Sequence, residues 1–397
     1  MYNGNMYSRI LNYSTDRSFF LFGPRGTGKT TWVKHEFKGS VYVDLLEAQL
    51  FNRLLANPQR LENYIPLNFN NWIIIDEIQR VPELLNEVHR LIEKYNFKFI
   101  LTGSNARKLR KRGTNLLAGR AFTNYMHPLS AVELKNDFIL EKSLKYGHLP
   151  DAYQVKDPQR YLDSYVMTYL EQEIKQEGLS RNLNNFSRFL EAASFSQGSV
   201  LNISEVAREC SIERKTVGNY FNILTDLLVG YRIPVFTRKS KRRMISHEKF
   251  YFFDTGIFRT IRPKGPLDKP EQIDGAAGET LILQELIATN DSYNLGYKIF
   301  FWRTSNNLEV DFVLYGQKGL KAFEVKRTDR LSKSMFKGLK AFLKDYPQSE
   351  AFFIYGGNNM IREGNINILP FDQFLKNLPG ILNNKYDDYN TFSISEN

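Results

Sequence analysis

An α/β fold opens this chain, and three features of its sequence predict it. Short apolar runs alternate with helical stretches from Phe19 to about Met126, a glycine-rich loop follows the first run, and an acidic pair ends the third. Strands that alternate with helices build a parallel sheet covered on both faces. Residues 19–22, 41–43, 72–75 and 98–101 are brief, apolar and rich in β-branched or aromatic side chains, as buried strands are. Within 83–95, Leu84, Leu85, Val88, Leu91 and Ile92 mark one face of a helix.

From about 129 to 190 the strand signal fades, and Tyr161, Tyr165, Tyr169 and Ile174 fit a helical stripe. Residues 202–210 and 213–229 read as two helices joined by a short turn. Alternation through 230–236 and 249–253 reads as a hairpin. From about Asp274 the pattern is a helix over 279–288, then strands over 298–302, 309–315, 321–326 and 351–355. The expected domains are a core over 1–130, a helical region over 131–195, the helix pair and hairpin over 196–260, and a second α/β domain over 270–380. The polar stretch 385–397 is expected to fray.

A length of 397 residues suits two or three domains, and 30 Phe with 22 Tyr supply ample aromatic core. The formal charge of +11 favours an acidic partner such as nucleic acid or nucleotide, although a solvated basic surface explains it equally. Cys210 is the single cysteine, which excludes a disulfide framework and a thiolate metal site within one chain. The first residues lack the basic and apolar regions of a secretion signal, and no run reaches the roughly 18 apolar residues of a membrane span, so a cytoplasmic setting without membrane contact is expected. His35, His89, His127, His148 and His247 are scattered with no zinc-hydrolase spacing, and no Gly-x-Ser-x-Gly elbow occurs.

Gly23-Pro24-Arg25-Gly26-Thr27-Gly28-Lys29-Thr30 matches the Walker A pattern, directly after the first strand and opening a helix that Thr31 continues. Its glycines let backbone N–H groups converge on phosphate oxygens, and the helix presents its positive end to the same anion. Lys29 is expected to reach the β- and γ-phosphates of ATP, and the Thr30 hydroxyl to coordinate Mg²⁺. The strand 73–75 ends in Asp76-Glu77, which suits a second carboxylate motif: Asp76 holds magnesium through water and Glu77 polarises the attacking water as general base. A capped strand end is the alternative. The fourth strand ends in Thr102-Gly103-Ser104-Asn105, where Asn105 or Ser104 could sense the γ-phosphate, or where the chain simply turns.

These motifs, with Asp76-Glu77-Ile78-Gln79, Leu101-Thr102-Gly103-Ser104, Leu117-Ala118-Gly119-Arg120, Pro128-Leu129-Ser130 and Phe253-Asp254-Thr255-Gly256, resemble the bacterial and archaeal AAA-type ATPases that carry a C-terminal domain of unknown function. The resemblance spans nearly the whole chain. It implies a P-loop NTPase core with a parallel sheet, a helical lid, a winged-helix segment and a restriction-endonuclease-like C-terminal α/β domain. It implies no biological role. By the same resemblance Arg120 is an arginine sensor or finger, acting within its own chain or across a homo-oligomer contact. A surface arginine is the alternative.

Two further groups of residues carry chemistry. The second helix of the pair begins with Arg214 and Lys215, and the predicted hairpin tip holds Arg238, Lys239, Lys241, Arg242 and Arg243. Such residues could contact DNA or RNA through charge and shape, or form a solvated surface. Glu279 on a helix, Asp311 on a strand, and Glu324 with Lys326 on the next strand follow the residue order of a PD-(D/E)xK nuclease. Residues 324 and 326 share a strand face, and hard carboxylates there suit a second Mg²⁺ or Mn²⁺. An ion-pair cluster is the alternative. The sequence therefore predicts an ATP-driven molecular switch, with an ATP-gated nuclease and a nucleotide-regulated protein-interaction module as rivals.

Overall fold

The computed structural model describes residues 6–104, 109, 117, 119–170, 183–238, 240, 242–265 and 268–385. They fall into two units, Met1–Pro234 with His247–Gln284, and Val235–Ser246 with Glu285–Asn397.

The first unit holds a five-stranded sheet in the order β2-β3-β4-β1-β5, every neighbouring pair parallel. The strands are β1 (Ser18–Phe22), β2 (Val41–Asp44), β3 (Trp72–Asp76), β4 (Lys98–Gly103) and β5 (Ala121–Tyr125). Side chains alternate across a strand, so each run of apolar residues feeds two cores. Phe19, Leu21, Ile74 and Ile100 pack with Trp32 and Val33 of helix α1 (Lys29–Glu36). Phe20, Phe22, Ile73, Ile75, Phe99 and Leu101 pack on the other face, against Leu54 of α2 (Ala48–Ala56) and Leu84, Leu85, Val88 and Leu91 of α3 (Leu84–Tyr95). Ile73, Ile74 and Ile75 have no exposed surface, and burial of such a side chain stabilises by roughly 2 kcal/mol.

Beyond the sheet come short helices: α4 (Ala131–Leu134), α5 (Leu140–Tyr146), α6 (Pro150–Gln154) and α7 (Pro158–Ser164), then a π-helical turn over Tyr165–Leu170. Ser130 and Glu133 close a reciprocal capping box on α4, and prolines start α6 and α7 where a missing N–H costs nothing. Tyr161 and Tyr165 stand 6.4 Å apart at the end of this region, while Ile174 lies outside the described residues. Helices α8 (Leu183–Phe195), α9 (Ile203–Cys210) and α10 (Arg214–Asp226) follow, then the antiparallel strands β6 (Gly230–Ile233) and β7 (Lys249–Phe252), and α11 (Thr255–Ile261). Asp254 is wholly buried and accepts from Gly256 N (2.9 Å) and Ile257 N (3.2 Å) of α11 and from His148 N (2.7 Å). Burial pushes its carboxyl above the ordinary carboxylate range. That one side chain ties the start of α11 to the turn between α5 and α6, a physical reason for the Phe253-Asp254-Thr255-Gly256 run.

A 23-residue helix, α12 (Pro270–Ser292), carries the chain on to the second unit. There β8 (Lys298–Arg303), β9 (Glu309–Gly316), β10 (Gly319–Lys326), β11 (Glu350–Tyr355), β12 (Ile361–Glu363) and β13 (Ile366–Pro370) form a mixed sheet in the order β12-β13-β11-β10-β9-β8. The β10–β11 and β11–β13 pairs are parallel, and the others antiparallel. Leu339 and Phe342 of α13 (Lys337–Asp345) cover one face, with Trp302, Val313 and Phe353 beneath them. On the other, Phe374 of α14 (Phe371–Leu382) meets Phe323 edge-on, 5.6 Å between centroids.

The segment between β6 and β7 differs from the expected free hairpin tip. Val235–Ser246 is part of the second unit. Val235 and Met244 bridge to Phe301 and Thr304, and Phe236 is buried among Phe300 (5.4 Å), Phe342 and Tyr346 (5.3 Å). An aromatic side chain just ahead of the basic run draws the loop into a core.

Candidate nucleotide site

The phosphate loop leaves the carboxyl end of β1, where Gly23 N donates to Gly103 O of β4 at 3.3 Å. At Gly28 the backbone turns left-handed, with φ +88°, and α1 begins at the next residue. That turn suits a residue without a Cβ. Lys29 is buried and folds back over the loop, its Nζ donating to Gly23 O (2.8 Å) and Pro24 O (3.0 Å). Thr27 Oγ1 also donates to Pro24 O (2.9 Å). Thr31 points to solvent from α1.

The sheet order sets what faces the loop. Strand β4 lies between β1 and β3, so its polar end stands between Gly23–Thr30 and Asp76-Glu77. Thr30 Oγ1 donates to Asp76 Oδ2 at 2.8 Å, joining the two motifs. Asp76 is buried and also accepts from Tyr42 Oη through Oδ2 and from Thr102 Oγ1 through Oδ1. Glu77 is left-handed at φ +63°, an uncommon conformation for a residue with a side chain. Its Oε2 accepts from Gln79 Nε2, which donates as well to Ser104 Oγ at 3.1 Å. Gln79 lies so close to β4 that a Cβ on Gly103 would come within 2.5 Å of Gln79 Oε1. The residues fit a nucleotide with its divalent cation. A hydroxyl beside a carboxylate is a set of hard oxygen donors, and the loop glycines leave amides uncovered.

Two elements brace the loop from outside. Arg9 is nearly buried and donates to Thr27 O (2.8 Å), to His127 O (2.6 Å) and to Glu133 Oε1 (3.0 Å). Glu133 in turn accepts from Ile10 N (2.7 Å) and Ser130 N (2.9 Å). On the loop's other side Tyr165 Oη donates to Arg25 O at 2.9 Å, and its ring borders Gly26. Sequence reasoning assigned no role to Tyr42, Gln79, Thr102, Arg9 or Glu133. Gln79 and Thr102 lie within quoted motifs and Ser130-x-x-Glu133 has the spacing of a capping box, but nothing local signals Tyr42 or Arg9.

The remaining candidates separate. Asn105 lies outside the described residues, while Ser104 is buried beside Gln79. Arg120, read as acting within its own chain or across a contact between copies, lies away from its own chain's loop. Strand β5 runs parallel to β1 with Ala121 level with Ser18, so Arg120 stands at the opposite edge of the sheet from Gly23. Five residues of strand at about 3.3 Å each separate the two edges, and its Nε donates to Glu93 of α3 at the surface. Arg214 and Lys215 are exposed at the start of α10. In the second unit, Arg242 pairs with Asp345 (2.6 Å), the Arg238 guanidinium stands 4.7 Å from the Tyr315 ring centroid and Arg243 is exposed, so the basic run is partly spent on packing. Lys239 and Lys241 lie outside the described residues.

The predicted set of three carboxylates and a lysine falls in both units. Glu279 belongs to the first, where its Oε2 accepts from Tyr251 Oη at 2.9 Å. Asp311, Glu324 and Lys326 belong to the second. Lys326 Nζ is 2.7 Å from Glu324 Oε1 and 3.5 Å from Asp311 Oδ2, and Asp311 Oδ2 accepts from Val325 N at 2.9 Å. Among the described residues no group of three or more His, Cys, Asp or Glu side chains is placed to hold a metal ion. Among them, too, no helix is long and apolar enough to cross a membrane.

Comparison with known proteins bears on three stretches. The AAA domain family matches residues 15–135. Residues 138–268 and 274–374 match two domains of unknown function, DUF8612 and DUF4143. An uncharacterized protein of Mycobacterium tuberculosis is 25% identical over 366 residues, covering 89% of this chain and 80% of that protein, and one of Mycobacterium bovis matches to the same extent. Among solved structures, the Aeropyrum pernix ORC1 protein in complex with DNA is 13% identical, covering 62% of this chain and 87% of that one, with a TM-score of 0.27, too low to carry an argument. The family match agrees with the parallel sheet and with the glycine loop joined to Asp76, so residues 15–135 are similar to the AAA domain in sequence and in layout.

Proposed function

We propose that the chain is an ATP-hydrolysing molecular switch. The single observation that carries this reading is the Thr30–Asp76 hydrogen bond of 2.8 Å at the mouth of the glycine loop. In it the loop amides and Lys29 hold the triphosphate, and Thr30 with Asp76 holds Mg²⁺. The cation supplies charge neutralisation on the phosphate oxygens. Glu77 takes a proton from water as the water oxygen bonds to the γ-phosphorus and the bond to the bridging oxygen breaks. Ser104, or Asn105 beside it, reports the state of the γ-phosphate to Gln79 and so to Glu77. Arg120 would serve only across a contact with another copy.

The lid is the helical region around α5 to α7, and Tyr165 on the Arg25 carbonyl is its handle on the loop. A change of loop conformation on hydrolysis would move that handle and, with it, the α9–α10 pair and its β6–β7 ribbon, read here as a winged helix. Arg214 and Lys215 would then contact the nucleic-acid backbone by charge. Filter binding with Lys29→Ala tests the site: equal retention of ATP by the variant and the parent would refute it. Glu77→Gln should hold ATP and hydrolyse it slowly.

A second reading rests on the Asp311–Lys326–Glu324 contacts in a unit whose elements run helix, three strands, helix, three strands, helix. That order suits a nuclease-like fold in which Asp311 and Glu324 take Mg²⁺ or Mn²⁺. Metal-dependent cleavage of DNA or RNA, lost in Asp311→Ala, would favour an ATP-gated nuclease. No cleavage by the parent would leave the unit as a recognition module for nucleic acid or protein.

A further inference from the structure

Asp76 is held by more hydroxyls than the loop alone provides, and the excess comes from strands. Tyr42 is level with Ile74, and Ile74 with Ile100. Side chains repeat every two residues, so Tyr42, Asp76 and Thr102 share the sheet face covered by α1. The phenol is long enough to span the one step from Tyr42 to Asp76. Its ring is held in turn from α1, with Lys34 Nζ 4.2 Å from the centroid. An ionised carboxylate offers about four lone-pair positions. Hydroxyls from α1, β2 and β4 (those of Thr30, Tyr42 and Thr102) occupy three, which leaves one direction for a water on a divalent cation.

We propose that Tyr42, with Thr102, is a positioning residue that fixes the Asp76 carboxylate for a hydrated divalent cation beside Thr30. It rests on the reading of Asp76 as the cation-holding group. Partners that orient a metal-holding group typically change metal affinity 10–100-fold when removed. Tyr42→Phe deletes only the hydroxyl and keeps the ring against Lys34, so the fold is not at stake.

The test follows the binding of a fluorescent ATP analogue to the full-length chain by anisotropy, first in EDTA and then with Mg²⁺ titrated in. Hydrolysis does not enter the readout. Tyr42→Phe should need about tenfold more Mg²⁺ than the parent, with unchanged affinity in EDTA. Thr102→Val should behave likewise, and Thr102→Ser should titrate as the parent does. A Tyr42→Phe curve within twofold of the parent overturns the proposal while leaving the phosphate loop intact. An equal loss in EDTA overturns it too, since the hydroxyl would then serve the pocket at large. A parent that binds the analogue without any response to Mg²⁺ overturns both this proposal and the cation role of Asp76.

Discussion

Replacing Arg9 by alanine should loosen the phosphate loop from behind. The guanidinium and the Glu133 carboxylate are 9% and 4% exposed, so the pair is buried. Removing one partner of a buried pair costs about 3–5 kcal/mol, because the other charge stays in place. Here Glu133 keeps the Ile10 and Ser130 amides, which moves the expectation to the lower end, about 3 kcal/mol. The carbonyls of Thr27 and His127 lose their donor as well. Urea unfolding in a Trp302→Phe background reads the first unit alone, since Trp32 and Trp72 then supply all the tryptophan fluorescence. Arg9→Met with Glu133→Gln should recover part of the loss, since it removes the stranded charge while the amide oxygen still accepts from the Ile10 and Ser130 amides. A loss below about 1 kcal/mol for Arg9→Ala, or a double variant as unstable as the single one, would refute the argument.

Other outcomes follow from the same contacts. Gly103→Ala would drive a Cβ into Gln79 and pull it from Glu77, so hydrolysis should fall several-fold at unchanged nucleotide affinity, with about 1–3 kcal/mol of overpacking visible in urea. Hydrogen bonds from Tyr95 and Arg90 hold the Glu62 carboxyl down to about 2. Its contribution is complete above the ordinary carboxylate range and fades as pH falls toward that value, so the Tm gap between the parent and Glu62→Gln should narrow from pH 7 to pH 3. Arg120→Ala breaks an exposed pair with Glu93, and should change stability by less than about 1 kcal/mol and leave the ATPase of dilute protein intact. Lost activity at high dilution would return Arg120 to its own chain's site. Arg242→Ala leaves the nearly buried Asp345 without its guanidinium and should cost the second unit about 2 kcal/mol, read as faster amide exchange in β8 and β9.

The parts legible in the sequence were those whose evidence is contiguous. The glycine loop, Asp76-Glu77 and the strands beneath them are runs of adjacent residues, and period and composition suffice to read them. The Tyr42 and Thr102 hydroxyls reach Asp76 because β2 and β4 flank β3, a matter of strand order that no local pattern carries. Arg9 and Glu133 are 124 residues apart. Arg120 sits in a motif that was readable, but β5 starts at the far edge of the sheet, and parallel pairing is invisible in the motif itself. For 235–246, alternation revealed the two strands that pair. What the intervening loop packs on was set by Phe236, one aromatic among many.

That exchange of segments has a consequence for how the gene can be dissected. The backbone passes from one unit to the other after Pro234, returns after Ser246 and leaves again after Gln284. No single stop codon yields either half whole. A fragment truncated at 284 would strand Phe236 without the Phe300 and Tyr346 rings it is buried against. During translation the same residues emerge well before β8 is made. The ribosome therefore releases a loop whose Phe236 must wait for its sheet, and this interval is when a holding chaperone would be needed most.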